Sequence, residues 1–309
     1  MNFEAIRGFT SHHDPSAQTK ALQYFEQLKA SEDGWQLCIR TLTSGQNLDE
    51  HVTFFCIQVV EHYIKTRYTQ SEEEKQHFLR DFFKHWLNSQ SRGGKVHKVF
   101  IRNKIAQLVC LMFLADFPHS WPNFFGDMLK LLTLGSPGAD YFLRILLAIN
   151  SDVADKEIAR TQKEVQRNVV IKDTIRDHSV ISIVDSWYHI VTTYQTSNPE
   201  LSCLCLEVIG AYVAWIDINL IANDRFVNVL VHFLSMPQLR EAACDCIIEI
   251  INKGMDPSAK TKLVESFVTV LEQAGVLNLS KAGEDADFAI KMAKLVNGIG
   301  TSLLASWTK

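Results

Sequence analysis

Seven cysteines and eleven histidines are the side chains of this sequence with the widest chemical reach. Thiolate and imidazole together hold zinc or build a nucleophile, so their spacing is weighed first. Cys203 and Cys205, like Cys244 and Cys246, are two residues apart in stretches with a helical pattern. On a helix that offset is roughly 200° around the axis, so the sulfurs of each pair point to opposite sides and do not share a metal. Cys56 and Cys110 have His51, His62 and His97 within reach in sequence, yet both cysteines fall on the apolar side of their helices. A reactive thiolate needs an electropositive, partly open setting. His12-His13 sits in a polar leader, where exposure is expected. The 14 glycines fall at inferred turns or late in helices, such as Gly254 and Gly275, and none forms a phosphate loop behind a strand. No catalytic constellation emerges, and the chain reads as a non-enzyme without a metal.

Charge is the second chemistry available. The 31 basic residues stand against 35 acidic ones for a net charge of −4, so nothing in the total advertises nucleic acid, and any RNA contact must come from local patches. The most charged stretch runs from Asp152 to Arg176, where Lys156, Arg160, Lys163, Arg167, Lys172 and Arg176 are spread among acids. It reads either as one long exposed helix or as a loop with a helix inside it. Its charges suit offset-four ion pairs on a solvated helix, or a surface that meets a ligand. The odd cysteine count in apolar surroundings fits reduced core thiols. Met1 to Ser11 includes Glu4 and Arg7 and no sustained apolar run, and no stretch approaches the length of a membrane span. A soluble intracellular protein is expected, in which the Asn278-Leu279-Ser280 triplet has no glycosylation role.

The elements that must position these residues are helices. All seven prolines fall where helices should begin or end, and Asp14-Pro15, Asn198-Pro199 and Asp256-Pro257 each set a side-chain oxygen at an N-cap with proline at the first helical position. Ser71-Glu72-Glu73-Glu74 reads as a capping box. Amphipathic spacing predicts helices over Pro15 to Ala30, a short one capped by Ser31, then Asp49 to Tyr68 and Ser71 to Gln90. From Val99 the apolar positions Ile101, Ile105, Leu108, Met112 and Ala115 recur at offsets of three and four. Pro118 ends that helix, Pro122 is placed in the first turn of the next, and Trp121 with Phe124-Phe125 packs into the corner between them. Further helices are read at Ala139 to Ser151, Val180 to Thr196, Pro199 to Trp215, Ile218 to Leu234, Pro237 to Lys253, Pro257 to Ala274 and Glu284 to Trp307. No segment shows sustained strand alternation.

One internal echo points to repetition. Asn198-Pro199-Glu200-Leu201 and Met236-Pro237-Gln238-Leu239 open consecutive hairpins with proline and leucine in register, 38 residues apart. That is close to the roughly 40–47-residue period of HEAT and armadillo arrays, in which each two-helix unit buries its apolar face only against its neighbours. The fold class is therefore all-α, an armadillo-like HEAT-repeat superhelical solenoid of about seven helical hairpins.

His51-Val52-Thr53-Phe54-Phe55-Cys56-Ile57-Gln58-Val59-Val60-Glu61-His62 resembles the amino-terminal Ran-binding repeats of the importin-β (karyopherin) superfamily. Phe100-Ile101-Arg102-Asn103-Lys104 with Trp121-Pro122-Asn123-Phe124-Phe125 resembles the exportin-type block that follows them. A collinear series extends the likeness along essentially the whole chain, to the tRNA-export branch of that superfamily. It includes Tyr24-Phe25-Glu26-Gln27-Leu28-Lys29, Ile171-Lys172-Asp173-Thr174, Val208-Ile209-Gly210-Ala211-Tyr212-Val213, Ile221-Ala222-Asn223-Asp224-Arg225-Phe226 and Asn252-Lys253-Gly254-Met255-Asp256-Pro257.

The resemblance implies a receptor that wraps tRNA and GTP-bound Ran together in the nucleus, releases them in the cytoplasm after GTP hydrolysis, and passes nuclear pore proteins on the way. It implies no cofactor, since the GTP is carried by Ran. Residues 1–134 would be Ran-binding repeats leading into an exportin-type block at about 96–250, and 135–309 further repeats with part of the cargo surface, in one continuous solenoid. The expected Ran contacts are Gln58, Glu61, Lys65, Arg102, Asn103 and Lys104. For Asn103 the alternative is a hydrogen bond within the repeat, and for Arg102 a contact to a neighbouring helix. The expected tRNA contacts are Arg167, Lys172, Arg176, Arg225, Lys253, Lys260 and Lys262, with ordinary surface charge as the alternative for each. Receptors of this branch are far longer than 309 residues, so the chain reads as an amino-terminal portion that lacks the later repeats. The competing reading is a HEAT scaffold that binds only proteins, which the acidic net charge suits.

Overall fold

The computed structural model describes residues 1–8, 14–44, 48–93, 96–273, 275 and 286–307. His12-His13, Gly45-Gln46-Asn47, Ala274, Asn278-Leu279-Ser280 and the predicted helix start at Glu284 lie outside the described residues. Among those described there is no strand, and fifteen α-helices follow one another. They are α1 (Phe3–Arg7), α2 (Pro15–Ala30), α3 (Gly34–Leu42), α4 (Glu50–Thr66), α5 (Glu73–Arg92), α6 (Val99–Asp116), α7 (Phe124–Leu129), α8 (Ser136–Ala154), α9 (Gln162–His178), α10 (Val180–Tyr194), α11 (Pro199–Val213), α12 (Asp224–Phe233), α13 (Arg240–Asn252), α14 (Pro257–Gln273) and α15 (Ala286–Trp307). The chain divides into two compact units, Met1–Ile149 and Asn150–Lys309.

In the first unit α3 packs along α4 and α4 along α6. The corner after α6 is an aromatic core: the Phe113 ring lies 4.5 Å from Phe124, 4.8 Å from Phe117 and 5.7 Å from Phe125, and Trp121 meets Phe124 edge-on. All five are buried. The same end of α6 carries a buried polar knot, with the Tyr68 hydroxyl (2.5 Å) and Arg80 Nη1 (2.8 Å) both donating to Asp116 Oδ2. Entry into α8 depends on glycine: Gly135 takes φ 76°, and a Cβ on Gly138 would lie 1.9 Å from the Leu131 carbonyl oxygen.

In the second unit α11, α13 and α15 stack side by side, each closed against a helix before it: α10 on α11, α12 on α13, α14 on α15. That is the two-helix repetition read from the sequence, and the 38-residue echo marks two stacked neighbours, α11 and α13. The repetition is unequal in detail. Pro199 opens α11 at its first residue, whereas Pro237 lies in a turn three residues ahead of α13.

Caps at Asp14, Asn198 and Asp256 form as the sequence predicts. Four local expectations do not. Ser71 makes no capping box, because its hydroxyl donates to the Tyr68 carbonyl and α5 starts two residues later. Ser31 closes α2 rather than opening α3. Pro122 sits in the turn before α7, not in its first turn, and Ile218–Leu234 is a 3-10 turn followed by the shorter α12. The charged stretch resolves into a loop over 155–161 and then α9, whose amino terminus is closed by a reciprocal Thr161/Glu164 capping box.

Candidate functional site

The residues expected to meet Ran lie on α4 and α6, helices that run side by side in the first unit, and three of them, Glu61, Lys65 and Lys104, hold one another. Glu61 is buried on α4. Its carboxylate takes Lys65 Nζ at 2.7 Å and, from α6, Lys104 Nζ at 2.6 Å. Lys104 also donates to Gln107. Burial pushes the Glu61 carboxyl up, but the hydrogen bonds from Lys104 and Lys65 outweigh it and hold the group below its ordinary value. The next rung joins α6 to α8. Arg102 Nη1 meets Asp140 Oδ1 at 2.5 Å, Arg144 clasps the same carboxylate through Nε and Nη2, and Arg144 Nη1 donates to Asn103 Oδ1 at 2.6 Å. A third pair, Lys98 with Glu50, crosses from α6 to α4. Arg102 thus makes the contact to a neighbouring helix given as its alternative, whereas the Asn103 hydrogen bond runs to α8 rather than within its own helix pair. Gln58 lies half-buried on α4.

This ladder leaves an apolar margin that amphipathic spacing alone did not flag. Phe100 is 48% exposed and meets Phe54 edge-on at 5.4 Å, with Val96 and Val99 exposed beside it.

In the second unit the expected tRNA contacts divide differently. Arg160 binds the carboxyl end of α8, donating to the carbonyls of Ser151 (2.7 Å) and Asp152 (2.8 Å) and to that of Asp155. Asn168 of α9 donates to the same Asp152 carbonyl. One and two turns further along that face come Lys172 and Arg176. Arg176 Nε donates to the Trp215 carbonyl beyond α11, its guanidinium lies 5.7 Å from the Trp215 ring, and Nη1 pairs with Asp173. Lys253 Nζ binds two more carbonyls at the end of α11, Val213 (2.6 Å) and Ile216 (2.8 Å). Lys260 Nζ in turn binds the end of α13 through the Lys253 and Ile251 carbonyls. Cations at helix carboxyl termini satisfy orphan carbonyls and oppose the helix dipole, so these are structural contacts by their chemistry. Lys172, Arg176, Lys253 and Lys260 are brought into one ridge, with Arg160 added to it. Burial first, and then neighbouring cations, lowers the lysines: Arg176 acts on Lys172 and Lys253, and Lys253 acts on Lys260.

Arg167, Arg225 and Lys262 lie apart from this line of contacts. Arg167 Nε donates to Asn168. Arg225 pairs with Asp185 at 2.7 Å and covers the Tyr188 ring at 3.9 Å. Lys262 is exposed on α14. Six of the seven cysteines are buried, and burial raises the Cys205, Cys244 and Cys246 thiols, so they lie away from thiolate chemistry. No group of three or more His, Cys, Asp or Glu side chains among the described residues could hold a metal ion, and no helix among them is long and apolar enough to cross a membrane.

Against known proteins, residues 98–247 match the family model described as "Exportin 1-like protein". Exportin-T of Danio rerio is 48% identical over 309 residues, all of this chain and 32% of the relative. Human exportin-T is 46% identical over the same span and share. The chain is similar to exportin-T along its whole length. The likeness reaches far beyond vertebrates: exportin-T of Dictyostelium discoideum is 35% identical over 292 residues, 93% of this chain and 26% of its own length. The chain spans about a third of the length of the curated exportin-T relatives it matches first.

Proposed function

We propose that this chain is part of a nuclear export receptor for tRNA, which binds tRNA cooperatively with GTP-bound Ran in the nucleus and releases it in the cytoplasm after GTP hydrolysis. The observation that carries this reading is the whole-chain identity of 46–48% to vertebrate exportin-T. Ran is assigned to the exposed side of the α4/α6 pair, with Gln58, Glu61, Lys65, Arg102, Asn103 and Lys104 at or beneath the contact. Because the charged rungs are already paired there, their part is to fix the spacing of α4, α6 and α8, which is what a flat protein partner reads. The tRNA is assigned to the basic residues of the second unit, with Arg167, Lys172, Arg176, Arg225 and Lys262 toward the ligand and Lys253 and Lys260 holding the helix ends beneath it. Contacts of this kind meet phosphates, give affinity with little sequence reading, and suit a receptor that accepts many tRNAs by shape. Nuclear pore proteins complete the partners, the protein shuttles between nucleus and cytoplasm, and GTP enters only with Ran.

The test is a pull-down of tRNA with Ran in its GTP and GDP forms. Retention of tRNA that rises with GTP-Ran supports the reading, and equal retention in both nucleotide states contradicts the coupling. A HEAT scaffold that binds only proteins would show no specific tRNA binding at any salt concentration.

A further inference from the structure

We propose that the ridge along α9 and the carboxyl ends of α8, α11 and α13 is a built polyanion site, in which Lys156, Lys172 and Arg176 bind neighbouring phosphates of a folded RNA while Arg160, Lys253 and Lys260 hold its walls. The identification of the polyanion as RNA rests on the tRNA reading above; the site itself rests on how the cations are held.

Donor use separates the two groups. Arg160, Lys253 and Lys260 each give two or more hydrogen bonds to main-chain carbonyls, which fixes their positions and leaves little for a ligand. Lys172 is half-buried on α9 and makes no hydrogen bond or ion pair among the described residues. Lys156 is exposed in the loop that Arg160 folds onto α8, and is likewise without a partner among them. Arg176 keeps Nη2 while Nε and Nη1 are engaged. The loop and α9 cannot drift apart, since Arg160 and Asn168 grip one carbonyl, that of Asp152. The next fixed point is close: Trp215 Nε1 donates to Asn150 Oδ1 at 2.9 Å, tying the end of α11 to that of α8.

The physical consequence is a line of positive charge that folding neutralises only in part. Asp173 answers Arg176, and Asp217 is the acid facing Lys253. Burial first, then Arg176, and more weakly Arg160 and Lys156, push the Lys172 ammonium pKa down against the opposing pull of Asp173. A half-buried ammonium held among like charges gains most from an incoming anion, because the anion removes repulsion that the fold leaves in place.

The experiment compares the 309-residue chain with K156Q/K172Q and with an equal-charge control, K20Q/K163Q, whose lysines are exposed on α2 and in the first turn of α9. Affinity for tRNA and for heparin is measured across a salt series, with thermal melting alongside. The site predicts that K156Q/K172Q binds both polyanions about tenfold or more weakly at low salt and flattens the salt slope by about 1–2, that the control does neither, and that melting is unchanged. Wild-type tRNA binding that K156Q/K172Q leaves intact overturns the site and spares the export reading. Heparin binding lost in K156Q/K172Q, with no tRNA binding by the wild type, keeps the anion site and removes RNA as its ligand. Binding of neither polyanion by the wild type overturns the site.

Discussion

The two units use their charged residues in different directions. In the first, ion pairs run sideways, from α4 to α6 through Glu61 and Lys104 and from α6 to α8 through Arg102 and Asp140. The second has sideways pairs too, Arg225 with Asp185 and Lys291 with Asp245, but adds a series of cations on helix ends: Arg160 to α8, Arg176 and Lys253 to α11, Lys260 to α13. The first unit has one such contact of its own, Arg67 on the carbonyls of Lys29, Ala30 and Ser31 at the end of α2. Sideways pairing cancels charge and fixes the spacing of neighbours, leaving a nearly neutral, shaped surface. End-on pairing with carbonyls fixes position without an opposing full charge, so the surface stays positive. A protein partner suits the first arrangement and a polyanion the second.

The largest effect expected from breaking this contrast is at Asp116. Asp116→Ala leaves Arg80 buried without its carboxylate, and the cost is about 3–5 kcal/mol, read as a shifted urea midpoint. Lys253→Met should come next, since it strands the Val213 and Ile216 carbonyls at the end of α11. A loss of about 1–3 kcal/mol is expected, with faster amide exchange confined to the second unit. Glu61→Gln follows at about 0.5–1.5 kcal/mol, and it carries a pH signature. The Glu61 carboxyl is held below its ordinary value in the folded chain, so its contribution is fully present above the ordinary carboxylate range and is lost as pH falls through the folded value. The acid limb of the stability profile should therefore flatten in the variant, below about pH 4. Salt gives the smallest effect, a few tenths of a kcal/mol in opposite directions: screening weakens the α4/α6 rungs and relieves repulsion along the ridge. Region-resolved hydrogen exchange between about 0.05 and 0.5 M salt should show α4 and α6 opening more easily and α9 less easily.

Much of the fold was legible because its signals are local. The apolar stripe of α6, the Trp121 corner and the caps at Asp14, Asn198 and Asp256 depend on residues within a few positions of one another. The site was legible only as residue types. Lys253 and Lys260 read as surface cations, and Lys253 binds carbonyls 37 and 40 residues away in sequence, a partnership no side-chain motif announces because any residue has a carbonyl. Local signals also misled: Ser71 precedes the right acids but its hydroxyl is taken by Tyr68, whereas Thr161 and Glu164 form a true capping box inside the stretch that looked least regular. Arg102 and Asn103 were singled out by resemblance, and Asp140 and Arg144, which hold them, lie on a helix that the resemblance did not connect to them.

The most direct test of the contrast is differential hydrogen exchange of the chain with GTP-bound Ran and, separately, with tRNA. The account predicts that Ran protects α4 and α6 while tRNA protects α9 and the loop over 155–161, each leaving the other's region unchanged. Protection of α4 and α6 by tRNA, with α9 unaffected, would contradict it.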